Sequence, residues 1–300
     1  MDHKELRRKI KAFSLDDGHL GNQGYKRVLL QLFGLTGHGK SSFINSCKYI
    51  LNDGEPFEEY APTGQSSDGG SITMTRNAYE LTPNITIVDN RGCNTITHFE
   101  RAEVYAQLGN FLPLDQPVEW KEDFKDRMSI LVDDDLNKNT TDLLVPIFIY
   151  SASYDLQPHV QKDVEVFLKN CEDMTGVAAI IVLTNKNSKD FSELEIKFRL
   201  MGMKNVIAIE NYTMDSDVKT LGKTTDILRI LQMALENVTF RLSLPRDPEK
   251  DRRERKKFLL NYIHEAVLEY EKEKIKEDIM RQKMKEERKE PGSKKKCVLL

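Results

Sequence analysis

The chain has 300 residues, enough for one large domain or for one domain with extensions. Its 45 Lys and Arg against 48 Asp and Glu leave a net charge of −3, which gives no global case for a nucleic-acid partner. Cys47, Cys93, Cys171 and Cys297 show no CxxC and no zinc spacing, so a reduced cytosolic setting is expected, and no apolar run has the length of a transmembrane helix.

Residues 1–25 are polar and read as an N-terminal extension with a short helix at Lys4–Phe13. From Arg27 a βα alternation begins. Arg27–Phe33 is a short apolar run that reads as a buried strand. It leads into Gly34–Ser41, GLTGHGKS, which fits G-x-x-x-x-G-K-[ST] at every fixed position. Each fixed position has a physical task. Gly34, Gly37 and Gly39 permit backbone angles closed to other residues, so that successive N–H groups converge on an anion. Lys40 brings a positive charge to the β/γ-phosphates, and Ser41 offers a hydroxyl to Mg²⁺. His38 and Ser42 flank these positions and are counted with the nucleotide-binding loop. Lys40–Leu51 reads as the helix that must follow, with Phe43, Cys47 and Ile50 on one face, and its N-terminus adds a dipole favouring phosphate.

Asn52–Ser71 is rich in Gly, Ser and Pro and reads as a mobile loop. Beyond it, Ser71–Thr75 offers a threonine hydroxyl to complete the Mg²⁺ shell, Thr73 first and Thr75 as the alternative. Strands follow at Ala78–Leu81 and Ile85–Asp89. The second ends in Asp89-Asn-Arg-Gly92, a D-x-x-G in which Asp89 holds Mg²⁺ through water and the Gly92 N–H faces the γ-phosphate. The next residue is Cys93, where many small GTPases place the glutamine that orients the attacking water. Slow hydrolysis is therefore expected, and no catalytic residue is assigned. His38 is weighed as one that could approach the γ-phosphate. Residues 94–142 form an insertion of weak periodicity with no assigned role.

Further strands are read at Leu144–Tyr150, Val177–Thr184 and Asn205–Glu210, with helices at His159–Cys171, Phe191–Leu200 and Thr224–Phe240. Such alternation implies an α/β fold, a P-loop NTPase of G-domain type with a mostly parallel sheet and helices on both faces. The base-reading segment should follow Val177–Thr184. Two alignments to [NT]-K-x-D or T-H-x-D exist. Thr184 in first place puts Asn185 second and Asn187 at the aspartate; Asn185 in first place puts Ser188 there. The first is preferred because the strand then ends where it should. Neither supplies a carboxylate, so guanine selectivity is expected to drop.

These residues resemble the interferon-induced protein 44 family of GTPase-like proteins over about residues 26–245, on Gly39-Lys-Ser-Ser-Phe-Ile-Asn-Ser46, Phe124-Lys-Asp-Arg-Met128, Ile209-Glu-Asn-Tyr-Thr213 and the helix ending Leu242-Ser-Leu-Pro245. The family carries T-H-x-D at Thr184–Asn187. The resemblance implies GTP or GDP as ligand, Asn211 and Tyr212 beside the base, and an immune connection. The family's frequent N-terminal domain has no counterpart here.

Pro245 and Pro248 separate this core from a charged helical extension at 246–290. There Phe258, Leu259, Tyr262, Ile263, Ala266, Val267 and Tyr270 recur at helical spacing and Ile275, Ile279 and Met284 continue sparsely. The stripe reads as a face packed on the core, with a coiled-coil partner, a homodimer or a membrane-lying helix as alternatives. Residues 291–300 end in Cys297-Val-Leu-Leu300 behind Lys294, Lys295 and Lys296, a C-a-a-X signal for geranylgeranylation with a polybasic second signal. A cytosolic membrane face is the expected location. Three functions are carried forward: a membrane-anchored, Mg²⁺-dependent nucleotide switch with slow GTPase activity; a non-hydrolysing, nucleotide-stabilised membrane scaffold; and a P-loop kinase.

Overall fold

A computed structural model of the chain describes residues 2–64, 74–119, 126, 141–188 and 191–289. The strands are β1 (Arg27–Phe33), β2 (Asn77–Thr82), β3 (Ile85–Asp89), β4 (Asp142–Ser151), β5 (Ile180–Thr184) and β6 (Val206–Ala208). The helices are α1 (His3–Ala12), α2 (Lys40–Leu51), α3 (His98–Leu108), α4 (Pro158–Thr175), α5 (Phe191–Leu200), α6 (Leu221–Leu242) and α7 (Pro248–Lys289). One six-stranded sheet runs in the order β2-β3-β1-β4-β5-β6. β2 pairs antiparallel with β3, and every other neighbouring pair is parallel. This is the α/β P-loop architecture that the alternation predicts.

Strand periodicity sorts the core into two layers. Val28, Leu30 and Leu32 of β1 and Leu143, Val145, Ile147 and Ile149 of β4 face one side, where Phe43, Cys47 and Ile50 of α2 and Ile227, Leu231 and Ala234 of α6 cover them. Phe33, Phe148 and Tyr150 face the other side, with Tyr105 of α3, Phe167 of α4 and Phe198 of α5. Both faces are buried, which explains why β1, apart from Gln31, and β4 read as largely apolar runs.

The flanks join this core. Leu6 and Ile10 of α1, with Leu15 and Tyr25, lie in the first layer beside α6. Leu259, Ile263 and Ala266 place α7 on the second layer against α3 and α4. Past Tyr270 the helix stands clear, with Ile275, Ile279 and Met284 exposed. Residues 290–300, with Cys297 and the three lysines, lie outside the described residues, as do 120–125 and 127–140.

Two expectations change. α3 occupies a stretch that reads as unassigned insertion. Its inward face carries Arg101, Glu103 and Gln107 as well as Ala102, Val104 and Tyr105, so apolar periodicity does not mark it. The described part of the 52–71 loop is tied down, because Asn45 Oδ1 accepts from the backbone N–H of Tyr60 and Ala61 at 2.9 and 2.8 Å.

Candidate functional site

The parallel strands bring their carboxyl ends to one edge of the sheet, where ligands of such folds bind. Gly34, Gly37 and Gly39 have φ of 139°, 78° and 94°. At Gly34 the requirement is also steric, since a Cβ there would sit 2.3 Å from the carbonyl oxygen of Ile149. Gly39 is the N-cap of α2 and supplies no side chain to its first turn, which leaves those N–H groups to an anion. Lys40 is buried, and Nζ donates to the carbonyls of Gly34 and Leu35 at 3.2 and 3.0 Å. Burial lowers its pKa, and Asp89 opposes that shift.

Ser41 Oγ donates to Asp89 Oδ2 at 2.7 Å. Among the described residues no group of three or more His, Cys, Asp or Glu could hold a metal unaided. A hydroxyl beside a carboxylate is nevertheless the hard-oxygen set that Mg²⁺ takes when phosphate and water complete its shell. The donor chemistry therefore fits. Thr73 lies outside the described residues, and Thr75 forms an isolated bridge with Pro117. Ser42 caps nothing in the loop; its carbonyl accepts from Ser46 Oγ at 2.8 Å.

The D-x-x-G segment closes on this loop. Thr36 N and Oγ1 both donate to the Cys93 carbonyl, at 2.9 and 3.3 Å. A Cβ on Gly92 would lie 2.6 Å from Lys40 Nζ, so only a glycine lets the segment approach the lysine this closely. Cys93 is buried, and burial pushes its thiol up to about 12, which leaves a neutral thiol directly after D-x-x-G.

Beneath the segment lies a polar network that motif reading misses. Asn90 Nδ2 donates to Gln31 Oε1 and to the Leu32 carbonyl, both at 2.9 Å. Asn90 Oδ1 accepts from Arg76 Nε at 2.9 Å. The Arg76 guanidinium, fully buried, also donates to Asn110 Oδ1 at 2.8 Å and to the Leu112 carbonyl. Asn110 in turn donates to Asp142, which pairs with Arg27 at 2.9 Å. Arg252 and Arg255 of α7 donate to the carbonyls of Asn110 and Gly109 at 3.3 and 3.4 Å. No sequence signal marks these residues, because a lone arginine before a strand has no motif.

His38 turns its imidazole toward the end of β4. Its ring stacks on Tyr154 and meets Tyr150 edge-on, each at 4.6 Å between centroids. Nδ1 accepts from the Ser151 N–H at 3.1 Å. Burial, with Lys40 adding to it, pushes the imidazole down to about 3. The ring is therefore neutral and fixed, and the loop uses this residue through its backbone.

Thr184 Oγ1 donates to the His38 carbonyl at 2.9 Å, which ties the end of β5 to the phosphate loop. Asn185, at φ 59°, donates from Nδ2 to Ser151 Oγ and Ser153 Oγ at 2.8 and 3.0 Å. Lys186 is held by Asp226 at 2.7 Å, and Asn187 is exposed. Asn211 Nδ2 reaches the Gly39 carbonyl at 3.5 Å. Tyr212 is fully buried, its ring edge-on to Tyr49 and its hydroxyl 2.8 Å from Thr224 Oγ1. The structure thus gathers the loop, Asp89, Gly92, Thr184 and Asn211 at one edge, with Asn187 at its rim and Tyr212 beneath it.

No protein-family model matches the chain, and no curated protein matches it. Among solved structures, the chain is similar at 13% identity to one of an oligomerised bacterial dynamin pair, described as providing a mechanism for the long-range sensing and tethering of membranes. The match covers 95% of this chain and 48% of that one, with a TM-score of 0.28, too low to carry an argument about function.

Proposed function

We propose that this chain binds a guanine nucleoside triphosphate or diphosphate with Mg²⁺ and acts as a slow nucleotide switch. The observation that carries the reading is the cradle itself: three glycines at positive φ around Lys40, with Ser41 against Asp89. In this reading the loop amides and Lys40 bind the phosphates, while Ser41 and Asp89 would hold a Mg²⁺, which would supply charge neutralisation to the phosphates. Gly92 and Cys93, already against the loop, would shift to admit the γ-phosphate. Nucleotide binding belongs to residues 26–245, with 246–290 as a helical arm. The C-a-a-X and lysines at 294–296 supply the proposed membrane anchor, and the resemblance at Gly39–Ser46 and Ile209–Thr213 supplies the proposed immune setting. Titration of the purified protein with GTP and GDP in Mg²⁺ tests the core claim, and no binding by folded protein defeats it.

A second reading is favoured by one observation. Cys93 is a buried thiol, a weak hydrogen-bonding group, and the His38 Nδ1 acceptor is already taken by the Ser151 N–H, so neither is placed to orient an attacking water. A non-hydrolysing, nucleotide-stabilised scaffold fits that chemistry. Tight GTP binding with no turnover, with or without anionic vesicles, selects it over the switch.

A further inference from the structure

Within the Ile209–Thr213 run lies a carboxylate, Glu210, that the sequence reading gives no role. Glu210 Oε2 is buried and has no hydrogen-bond partner among the described residues. Its backbone neighbours fix its place. The Ile209 carbonyl accepts from Lys186 N at 3.1 Å, and Ile209 N donates to the Leu183 carbonyl at 2.8 Å. On its other side Asn211 reaches Gly39. The Glu210 backbone is therefore flanked by the Thr184–Asn187 segment and by the phosphate loop, the side of the site that the nucleotide reading gives to the base. Among the described residues Asp226, a second carboxylate beside this segment, is already engaged by Lys186.

Guanine presents N1–H and N2–H₂ side by side, and a carboxylate accepts both. Asn187 offers one acceptor and one donor group, a pattern that suits the N1–H and C2 carbonyl of xanthine. A carboxylate oxygen held away from water without a donor is costly unless a ligand supplies one. We infer that Glu210 is the base-reading residue, accepting from N1–H and N2–H₂ of guanine in place of an aspartate at Asn187. The inference rests on the nucleotide-binding reading and names the base that site selects.

The test is a calorimetric titration of the full chain with GTP, XTP and ATP in Mg²⁺, for the wild type and for Glu210→Gln and Glu210→Ala, each checked by thermal melting. The wild type should prefer GTP. Glu210→Gln should weaken GTP roughly tenfold to hundredfold and leave ATP within about threefold. A GTP preference that survives Glu210→Gln overturns the inference, as does a wild type that prefers XTP or ATP or binds all three equally. No binding of any nucleotide defeats the underlying reading instead, and the inference with it. If both variants fail to fold, Glu210→Asp, which keeps the charge and shortens its reach, takes their place: a weakened GTP preference supports the inference and an unchanged one overturns it.

Discussion

Ser41 Oγ and Asp89 Oδ2 meet at 2.7 Å although 48 positions separate them in sequence. The helix after the loop and the strand before D-x-x-G thus present one hydroxyl and one carboxylate to the same point. If that point is a Mg²⁺ site, its loss should act through the metal. In wild type, Mg²⁺ should tighten GTP binding by roughly tenfold or more. Ser41→Ala and Asp89→Asn should lose that gain yet match wild type in EDTA. Equal Mg²⁺ dependence in all three proteins would show that the pair is structural.

Two glycines of the site should fail differently when replaced. Gly34→Ala drives a Cβ to 2.3 Å from the Ile149 carbonyl at φ 139°, a clash with backbone at an angle alanine rarely adopts. Its expected result is lost stability, on the order of 2–4 kcal/mol, read by chemical denaturation. Gly92→Ala clashes with the flexible end of Lys40 at 2.6 Å, while Thr36 Oγ1 and the Gly34 carbonyl oxygen lie at 3.2 and 3.3 Å, close but within reach of a small adjustment. That variant should fold within about 1 kcal/mol of wild type and lose nucleotide affinity because the ammonium is displaced.

Gly34, Lys40 and Asp89 are legible in sequence because their chemistry demands fixed residue types at short spacing. Strands β1, β3 and β4 are legible because burial on both faces leaves mostly apolar runs, broken in β1 by Gln31 and in β3 by Thr86. Arg76, Asn90 and Asn110 are not, since a buried polar network is defined by three-dimensional closure. The long-range bonds from Arg252 and Arg255 are hidden for the same reason. Tyr212 shows the limit of resemblance: a short similar run places the residue near the site, but not the direction of its ring.

The His38 imidazole makes stability depend on acid. Its ordinary value of 6.5 applies in the unfolded chain, and burial pushes it to about 3 in the fold. Between those values the unfolded state binds a proton that the native state refuses, so stability falls as pH drops from about 6.5 toward 3. The slope from this group is at most about 1.4 kcal/mol per pH unit. His38→Asn keeps an acceptor for the Ser151 N–H and cannot titrate. Urea denaturation at several pH values should show a shallower acid slope for the variant, and parallel slopes would contradict the assignment.

Arg76 should behave as a structural keystone. Its guanidinium satisfies Asn90, Asn110 and the Leu112 carbonyl at once, fully out of water. Arg76→Met removes the charge and leaves those acceptors orphaned, at an expected cost of about 3–5 kcal/mol. Because Asn90 sits inside D-x-x-G, the same variant should loosen that segment. Hydrogen exchange at Arg91–Asn94 should quicken even under conditions where the rest of the sheet remains protected. A variant with wild-type stability and exchange would remove Arg76 from this role.

The last prediction separates the two halves of α7. Leu259, Ile263 and Ala266 are buried against α3 and α4, and Arg255 just before them is also buried. Ile275 and Ile279 follow on the same helix with 59% and 48% exposure. If the helix is a core element as far as Tyr270 and a free arm beyond, truncating side chains should reveal a boundary. Leu259→Ala should cost about 2–5 kcal/mol, as for other buried leucines. Ile275→Ala and Ile279→Ala should change monomer stability by less than about 0.5 kcal/mol. Denaturation at low and high protein concentration distinguishes an arm that stands free from one that pairs. A large, concentration-dependent loss at Ile275 would mean that the distal stripe is covered by a second copy in solution.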